Sequence, residues 1–491
     1  MTSSSRSRVA VVGGGAAGLS VAWELARAGA EVQLYEASDR TGGAVAPLQL
    51  GAGNQLDGVS QLSALSVDAG AEAFATRSSA VADLIGDLGL AERIVSPNPA
   101  GAWLQLPHLA APLPATGVLG IPGDPQAEDV VAVLGAEVAA RAAEDLSAPM
   151  TWTAERASER PPSLGEVVRD RMGEAVVEQL VSPITSGVHS AAPDDLAISA
   201  AHPRLYQTML RAGSLARAVA DLKAAAPAGS AVQSLRGGMH TLTAELDAQL
   251  RQAGASIRLN TEVQDLRQLH AEQRPEHIVL AADLERAAAL ASPYLQVTDP
   301  PTGVPSGVAL VTMLVRAPEL DQFPRGTGML VAPSVAHIGA KSMTHVSAKW
   351  AWVGEALHQQ LGPGHHLLRL SYGRVTDDPD SGALGLNSSD AQLVRAAAAD
   401  LPALTGVDVE AGQILDAAVV RWPRVLPGAS AEHRHRAEQF RRALASQRSA
   451  SVSGSDHQPQ LWAVGGWLAG TGLAQVIPDA RATARAILAN A

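Results

Sequence analysis

At 491 residues with a formal net charge of −12, the chain is too long for one hydrophobic core and too acidic for a general grip on nucleic acid or anionic lipid. It contains no cysteine, which excludes disulfides, thiolate catalysis and the common cysteine-based zinc sites and fits a cytoplasmic setting. Apolar residues at 46% against 18% charged describe a globular chain, and with only three Phe and four Tyr its core must be small and aliphatic.

After a polar Ser/Arg tail, Val9-Ala10-Val11-Val12 has the apolar character of a buried parallel strand. The Gly13-Gly14-Gly15 interruption that follows argues against a signal peptide and for a strand, a turn and then a helix. A helical pattern runs from Ala16 to Ala28 and closes on Gly29; Glu31-Val32-Gln33-Leu34-Tyr35 then alternates as a second strand. Together these elements make one βαβ unit.

Within that unit Gly13-x-Gly15-x-x-Gly18 carries a physical requirement at each glycine. The first permits the tight turn, the second lets the backbone approach a pyrophosphate, and the third allows close helix packing. The N–H groups around Ala16 and Ala17, with the positive end of the helix dipole, offset phosphate charge. Glu36, followed by Ala37, ends the second strand and is placed to accept ribose hydroxyls, which disfavours a 2′-phosphate. A bare glycine turn also occurs as a simple helix cap; the flanking strand, helix and acidic residue favour a dinucleotide.

Arg40-Thr41-Gly42-Gly43 comes next and resembles the R-x-G-G element of the amine-oxidase-like flavoproteins. That resemblance selects FAD over NAD: Arg40 can offset pyrophosphate charge, while Gly42 and Gly43 let the chain pass close to the cofactor. Residues 81–227 are Ala/Leu/Glu-rich with helical spacing broken by Pro-rich pieces, which predicts a mostly helical insertion. β-Branched runs between Ser306 and Tyr372 predict a second sheet. The Ser-rich stretch Ser449 to Ser455 reads as a surface loop, and Gln460 to Ala491 reads as strand, Gly-rich turn and helix returning to the first domain.

The expected fold class is therefore α/β (α+β overall), with a Rossmann-like FAD-binding domain, a mixed-sheet substrate domain and a helical insertion. The expected boundaries are 1–80 with 228–295 and 440–491 for the FAD-binding domain, 81–227 for the insertion and 296–439 for the substrate domain.

Three further segments resemble the protoporphyrinogen and coproporphyrinogen oxidases. Val67 to Phe74 is similar to their D-x-G-[PA]-[DE]-x-[FY] stretch, which implies that Gly70, Ala71 and Glu72 lie against the flavin. Ser182 to Ser190, followed by Pro193-Asp194-Asp195-Leu196, resembles their P-x-x-x-G-V-x-[AS] loop. Ser234 to Met239 with Thr261-Glu262-Val263 is similar to a G-G-[ML] turn and a Val that meets adenine. Arg421-Trp422 through Pro427 and Gly470-Thr471-Gly472-Leu473-Ala474 complete the likeness, adding Trp422, Gly472, Leu473 and Ala474 to the cofactor set. The chain departs from the family at Gly428-Ala429 and Glu432-His433, where Gln-Tyr and Gly-His are usual.

The resemblance implies an oxygen-dependent FAD oxidase of haem biosynthesis that turns coproporphyrinogen III into coproporphyrin III and releases hydrogen peroxide. Its partners are then a porphyrinogen and O2, with no nucleic acid, no stable membrane insertion and a transient contact with a later haem-pathway enzyme. The absence of a membrane-binding surface favours coproporphyrinogen over protoporphyrinogen IX. Its four propionates call for arginines, for which Arg204, Arg211 and Arg217 are candidates against the alternative of a solvated helix face.

Redox chemistry belongs to the cofactor, so no catalytic side chain is obligatory. Lys349 resembles a strand Lys that related oxidases hold near the ring, and His189 in the family-specific segment is a candidate acid or base; an ordinary surface Lys and a structural His are the competing readings. No metal site is expected, because His365 and His366 point to opposite faces of a strand and His433-x-His435 lacks partners at ligand spacing. The rival functions are another amine-oxidase-like flavoenzyme, a carotenoid-type desaturase, and a non-catalytic flavin-binding tetrapyrrole carrier.

Overall fold

A computed structural model describes residues 6–50, 65–115, 117–159, 161–189, 191–225, 230–295, 306–374, 377, 382–426, 431–453 and 458–490. Ser190, Pro427, Gly428 and Ala429 of the sequence motifs lie outside them. The first domain is built on five parallel strands in the order Ser256–Arg258, Glu31–Tyr35, Arg8–Val12, His277–Leu280, Gln460–Ala463. Parallel strands are covered on both faces, which is why Val9 to Val12 is continuously apolar and continuously buried.

One face packs Leu19, Val21 and Leu25 of the helix Ala16–Arg27 against Leu246 and Leu250 of His240–Gln252 and Ile477, Ala480 and Ala484 of Leu473–Leu488. The other face packs Ala10, Val12, Ile278 and Leu280 against Phe440 and Leu444 of the helix Ala431–Ser453. The C-terminal strand, turn and helix thus return to the first domain. The Ser-rich stretch differs from its expected loop, since this helix continues through Ser449 to Ser453. Ser449 Oγ donates to Ala445 O and Ser451 Oγ to Gln447 O, so the hydroxyls bond back to their own helix rather than divert the chain.

A seven-stranded mixed sheet follows the order Ile414–Leu426, Ser306–Arg316, His365–Tyr372, Ser342–His345, Gly328–Val331, Trp103–Gln105, Ala110–Pro112. Its last two strands come from the segment expected to be helical. Every pairing is antiparallel except Gly328–Val331 with Trp103–Gln105. Val311, Met313, Leu368 and Leu370 face the helical insertion through Val168, Leu180 and Val219, while Leu314 and Leu367 face Val67 and Trp350 on the opposite side. As expected for a strand, His366 is buried, bonded to His345 and Asp321, while His365 lies half-buried at the strand start.

The Pro183–Gly187 segment is helical rather than a loop. Ser182–Ile184 lies between two π-type turns, Val177–Val181 and Thr185–His189. Pro183 stands inside this continuous helical run, after the turn Val177–Val181, and withholds one backbone N–H there. A Cβ on Gly187 would stand 2.7 Å from Leu330 Cδ2. Glycine there lets this helical stretch lie directly on the second sheet.

The insertion is held by one buried ion pair. Asp145, fully buried, binds Arg171 Nε and also accepts from Ser214 Oγ, Leu215 N and Ala216 N at the start of the helix Leu215–Ala224. Arg171 spends its other N–H groups on the carbonyls of Asp145, Ala148 and Pro149. Removing only the acid leaves a buried cation and orphaned helix donors. Asp145→Ala should therefore lower unfolding free energy by about 3–5 kcal/mol, measured by urea titration; a loss within experimental error would show that this network is not what secures the insertion.

Candidate cofactor and substrate site

Gly13 has φ +111°, and a Cβ there would stand 2.5 Å from Ala281 O; a Cβ on Gly18 would overlap Gly13 O. Both glycines are required by the protein's own backbone. Gly15 differs: a Cβ there would meet nothing within 4 Å, so this glycine opens onto space at the N-terminus of the helix Ala16–Arg27. That space suits a pyrophosphate approaching unpaired backbone N–H groups. The R-x-G-G turn closes over it, because Gly42 N donates to Gly14 O at 2.8 Å and Gly43 comes so near Gly15 that a Cβ on it would stand 3.1 Å from Gly15 Cα.

Arg40 donates to the carbonyls of Thr41 and Gly43, at 3.1 and 3.0 Å, and so rigidifies the turn that carries it. Glu36 accepts from Gly14 N at 2.7 Å through one oxygen and from Ser38 N and Oγ through the other. It is half-buried, and Ala37 is exposed beside it. Thr261 N donates to Glu36 O at 2.8 Å, which brings the buried Val263 to the same edge. The residues expected to meet ribose and adenine are thus neighbours.

The D-x-G stretch and the G-G-M turn also converge. Asp68, buried, accepts from Met239 N and His240 N, each at 2.9 Å, and binds His240 Nδ1, capping the helix His240–Gln252. Trp422 Nε1 donates to Ala69 O at 3.2 Å, and a Cβ on Gly70 would stand 2.9 Å from that same nitrogen. Ala71 is half-buried on the same turn.

Glu72 receives Lys349 Nζ and Arg369 Nη1, both at 2.7 Å, and Arg369 Nη2 donates to Asp68 O at 2.6 Å. Burial acts to raise the Glu72 carboxyl, but the two cations more than offset it and hold it below its ordinary value of 4.5. Lys349 ends the short helix Val346–Lys349 rather than lying in a strand, because the strand Ser342–His345 stops just before it. Its ammonium is committed to Glu72. Arg369 was not singled out from the sequence; it is buried mid-strand in His365–Tyr372, and a charged residue inside that apolar run was the available signal.

Gly472, at φ +94°, precedes the helix Leu473–Leu488, so Leu473 and Ala474 occupy its first turn. Against this turn lies a cavity of about 340 Å³, bordered by Gly470 and Thr471, by Ser199 and Pro203 of the insertion, and by Arg434 and Arg441 of the helix Ala431–Ser453. Arg204, Arg211 and Arg217 are exposed and do not line it. Their helices turn Leu205, Met209, Leu215 and Val219 inward, which sends Arg211 and Arg217 to solvent. The cavity's cations are Arg77, Arg434 and Arg441. His189 closes its π-type turn, and its side chain lies outside the description.

The family model for flavin containing amine oxidoreductases matches residues 16–488. The chain belongs to that family. Its cofactor is FAD, and it is an oxidoreductase. A protein named coproporphyrinogen III oxidase from Mycobacterium tuberculosis (strain ATCC 25618 / H37Rv) is 28% identical over 427 residues, covering 85% of this chain and 86% of the relative. One of the same name from Bacillus subtilis (strain 168) is 24% identical over 468 residues, with 90% and 92% covered. A crystal structure assigned as a protoporphyrinogen oxidase from Exiguobacterium sp. 255-15 superposes with a TM-score of 0.77 at 25% identity, covering 99% of this chain and 100% of that one. Reduced UDP-galactopyranose mutase shares the fold, with a TM-score of 0.66 at 12% identity over 99% and 94% of the two chains. No helix among the described residues is long and apolar enough to cross a membrane.

Two outcomes follow from this geometry. Gly15→Val fills space that belongs to no protein atom, so the variant should fold with an unchanged melting temperature of the apoprotein yet purify without yellow colour; full FAD content in it would contradict the pyrophosphate position. Glu72→Gln leaves Lys349 and Arg369 without their acid and should cost about 3 kcal/mol at neutral pH. Because the folded Glu72 carboxyl is depressed, its contribution is complete above the ordinary carboxylate range and is lost as pH falls below 4.5. The difference between wild type and variant in urea midpoint should therefore shrink on acidification, and a constant difference would rule out this ionisation.

Proposed function

We propose that the protein oxidises coproporphyrinogen III to coproporphyrin III with O2 as acceptor. The observation that carries this reading is the cavity that joins the C-terminal turn of the FAD domain to the helical insertion and is lined by Arg77, Arg434 and Arg441. A cationic pocket beside a cofactor turn suits an apolar macrocycle bearing several carboxylates. The names of the curated relatives support the same reading. A cytoplasmic setting is part of it.

In this reading Gly15, with the N–H groups at Ala16 and Ala17, holds the pyrophosphate on a turn that Gly13 and Gly18 shape, helped by Arg40, Gly42 and Gly43. Glu36, Ala37 and Val263 border the adenosine; Gly70, Ala71, Glu72, Trp422, Gly472, Leu473 and Ala474 border the flavin. Bound FAD supplies hydride acceptance from a macrocycle carbon and return of the electrons to oxygen, one hydrogen peroxide for each hydride and proton removed. The chain supplies orientation. Trp422 and the Glu72 ion pairs stiffen the turn Asp68–Glu72, and the first turn of Leu473–Leu488 presents N–H groups and a positive dipole end to developing negative charge. Lys349, paired with Glu72, acts as a positioning residue for this turn.

The alternative substrate is protoporphyrinogen IX, favoured by the Exiguobacterium structure. Anaerobic mixing with coproporphyrinogen III should bleach the flavin band, and kcat/KM should exceed that for protoporphyrinogen by about tenfold, since cations left unpaired by the dicarboxylate cost binding. Bleaching with equal or inverted efficiencies would select the alternative. Absence of bleaching by either would end the porphyrinogen reading.

A further inference from the structure

Arg434 stands out among the arginines that line the cavity. It lies in the first turns of the helix Ala431–Ser453, and one Nη2 donates across to Ser199 Oγ of the insertion at 2.8 Å. Its Nε is buried without a hydrogen-bond partner among the described residues. No carboxylate offsets its burial, and burial alone pulls its pKa down. Neighbouring acids are engaged elsewhere: Asp479 pairs with Arg441 at 2.8 Å, and Glu438 with Arg442 at 3.3 Å.

Arg77, exposed on another wall of the cavity, has no acidic partner among the described residues; its Nη2 lies 2.8 Å from the side-chain amide of Gln475, which offers it an oxygen when the amide is turned over. Two guanidinium groups with uncharged partners therefore border one space. A half-buried guanidinium whose Nη2 meets only a neutral hydroxyl leaves a position for a carboxylate in Ser199's place, which would supply the missing counter-charge.

We propose that Arg434, aided by Arg77, is the carboxylate clamp of the substrate cavity, and that a ligand carboxylate replaces Ser199 as the partner of Arg434. This rests on the porphyrinogen reading and deepens it, by assigning the acidic side chains of the macrocycle to the seam between the insertion and the helix Ala431–Ser453. Occupancy then exchanges the direct Arg434–Ser199 bond across this seam for a charged bond to the ligand. A macrocycle with more carboxylates gains more at this seam than one with fewer.

The test uses FAD-loaded enzyme and three redox-inert probes: coproporphyrin III, with four carboxylates, mesoporphyrin IX, with two, and coproporphyrin III tetramethyl ester, with none. Binding is read by porphyrin fluorescence anisotropy. Arg434→Gln should weaken coproporphyrin III by about tenfold, in keeping with a lost charged hydrogen bond, and leave the ester unchanged. Arg434→Lys should recover part of the loss, Arg77→Gln should lose less, and Ser199→Ala should bind coproporphyrin at least as tightly as wild type. FAD content and melting temperature should not move. Equal loss for acid and ester, unaltered binding of the acid, or release of FAD from Arg434→Gln would each overturn the clamp. A wild-type enzyme that binds none of the porphyrins would overturn the substrate reading and the clamp with it.

Discussion

Everything that borders the turn Asp68–Glu72 depends on two carboxylates, the buried Asp68 and the half-buried Glu72. Asp68 caps the helix that follows the G-G-M turn, and Glu72 takes both Lys349 and Arg369. Between them lies a glycine that the indole of Trp422 approaches so closely that no side chain fits. A handful of charge-assisted bonds therefore ties the turn after the strand Ser66–Asp68 to the second sheet. Such a network is costly to leave half-made, since Arg369 would remain buried, and Lys349 half-buried, without an acid. Its effect is to hold one turn in a single geometry, which is what orientation-based catalysis requires.

The rest of the architecture supports that turn with small aliphatic packing. Ala, Val and Leu dominate the cores on both faces of the parallel sheet and on both faces of the mixed sheet. Helices lie close to the strands because little side-chain volume separates them, and glycines such as Gly187 carry this to direct contact. The insertion is then held on the second sheet by apolar packing, while the Asp145–Arg171 pair ties the insertion's own helices together. The cavity is left at the boundary where insertion, C-terminal helices and cofactor turn come together, a common place for ligand sites.

The likeness to reduced UDP-galactopyranose mutase shows how little the fold alone says about chemistry. What distinguishes this chain is local: a glycine turn open at Gly15, a flavin turn braced by paired charges, and a cavity with more arginine than acid to match it. The amine-oxidase-like scaffold supplies the cofactor's setting, and the cavity lies at the seam between the insertion and the helix Ala431–Ser453.

The nucleotide half of the site was legible from the sequence because its rules are local. Strand, glycine turn, helix and acid lie within about thirty residues of one another in any βαβ unit of this kind, and Gly13, Gly15, Gly18, Glu36 and Gly42 occupy the positions that spacing assigns. Period and turn chemistry likewise announced the second sheet and the C-terminal return. They failed where tertiary packing overrides propensity, as in the serines bonded into the helix Ala431–Ser453 and the motif that winds helically onto the second sheet. The sequence by itself thus determined the fold class and the strand, glycine turn and helix, which rest on short-range backbone constraints, and the resemblance of Arg40-Thr41-Gly42-Gly43 pointed to FAD. Only the tertiary structure decided which charges meet. Glu72 joins Lys349 and Arg369 from nearly 300 residues away, and Arg434 rather than Arg211 or Arg217 faces the cavity. Pairings between distant residues leave no periodic trace in a single chain, because they are set by which helix face the core claims and which it leaves over.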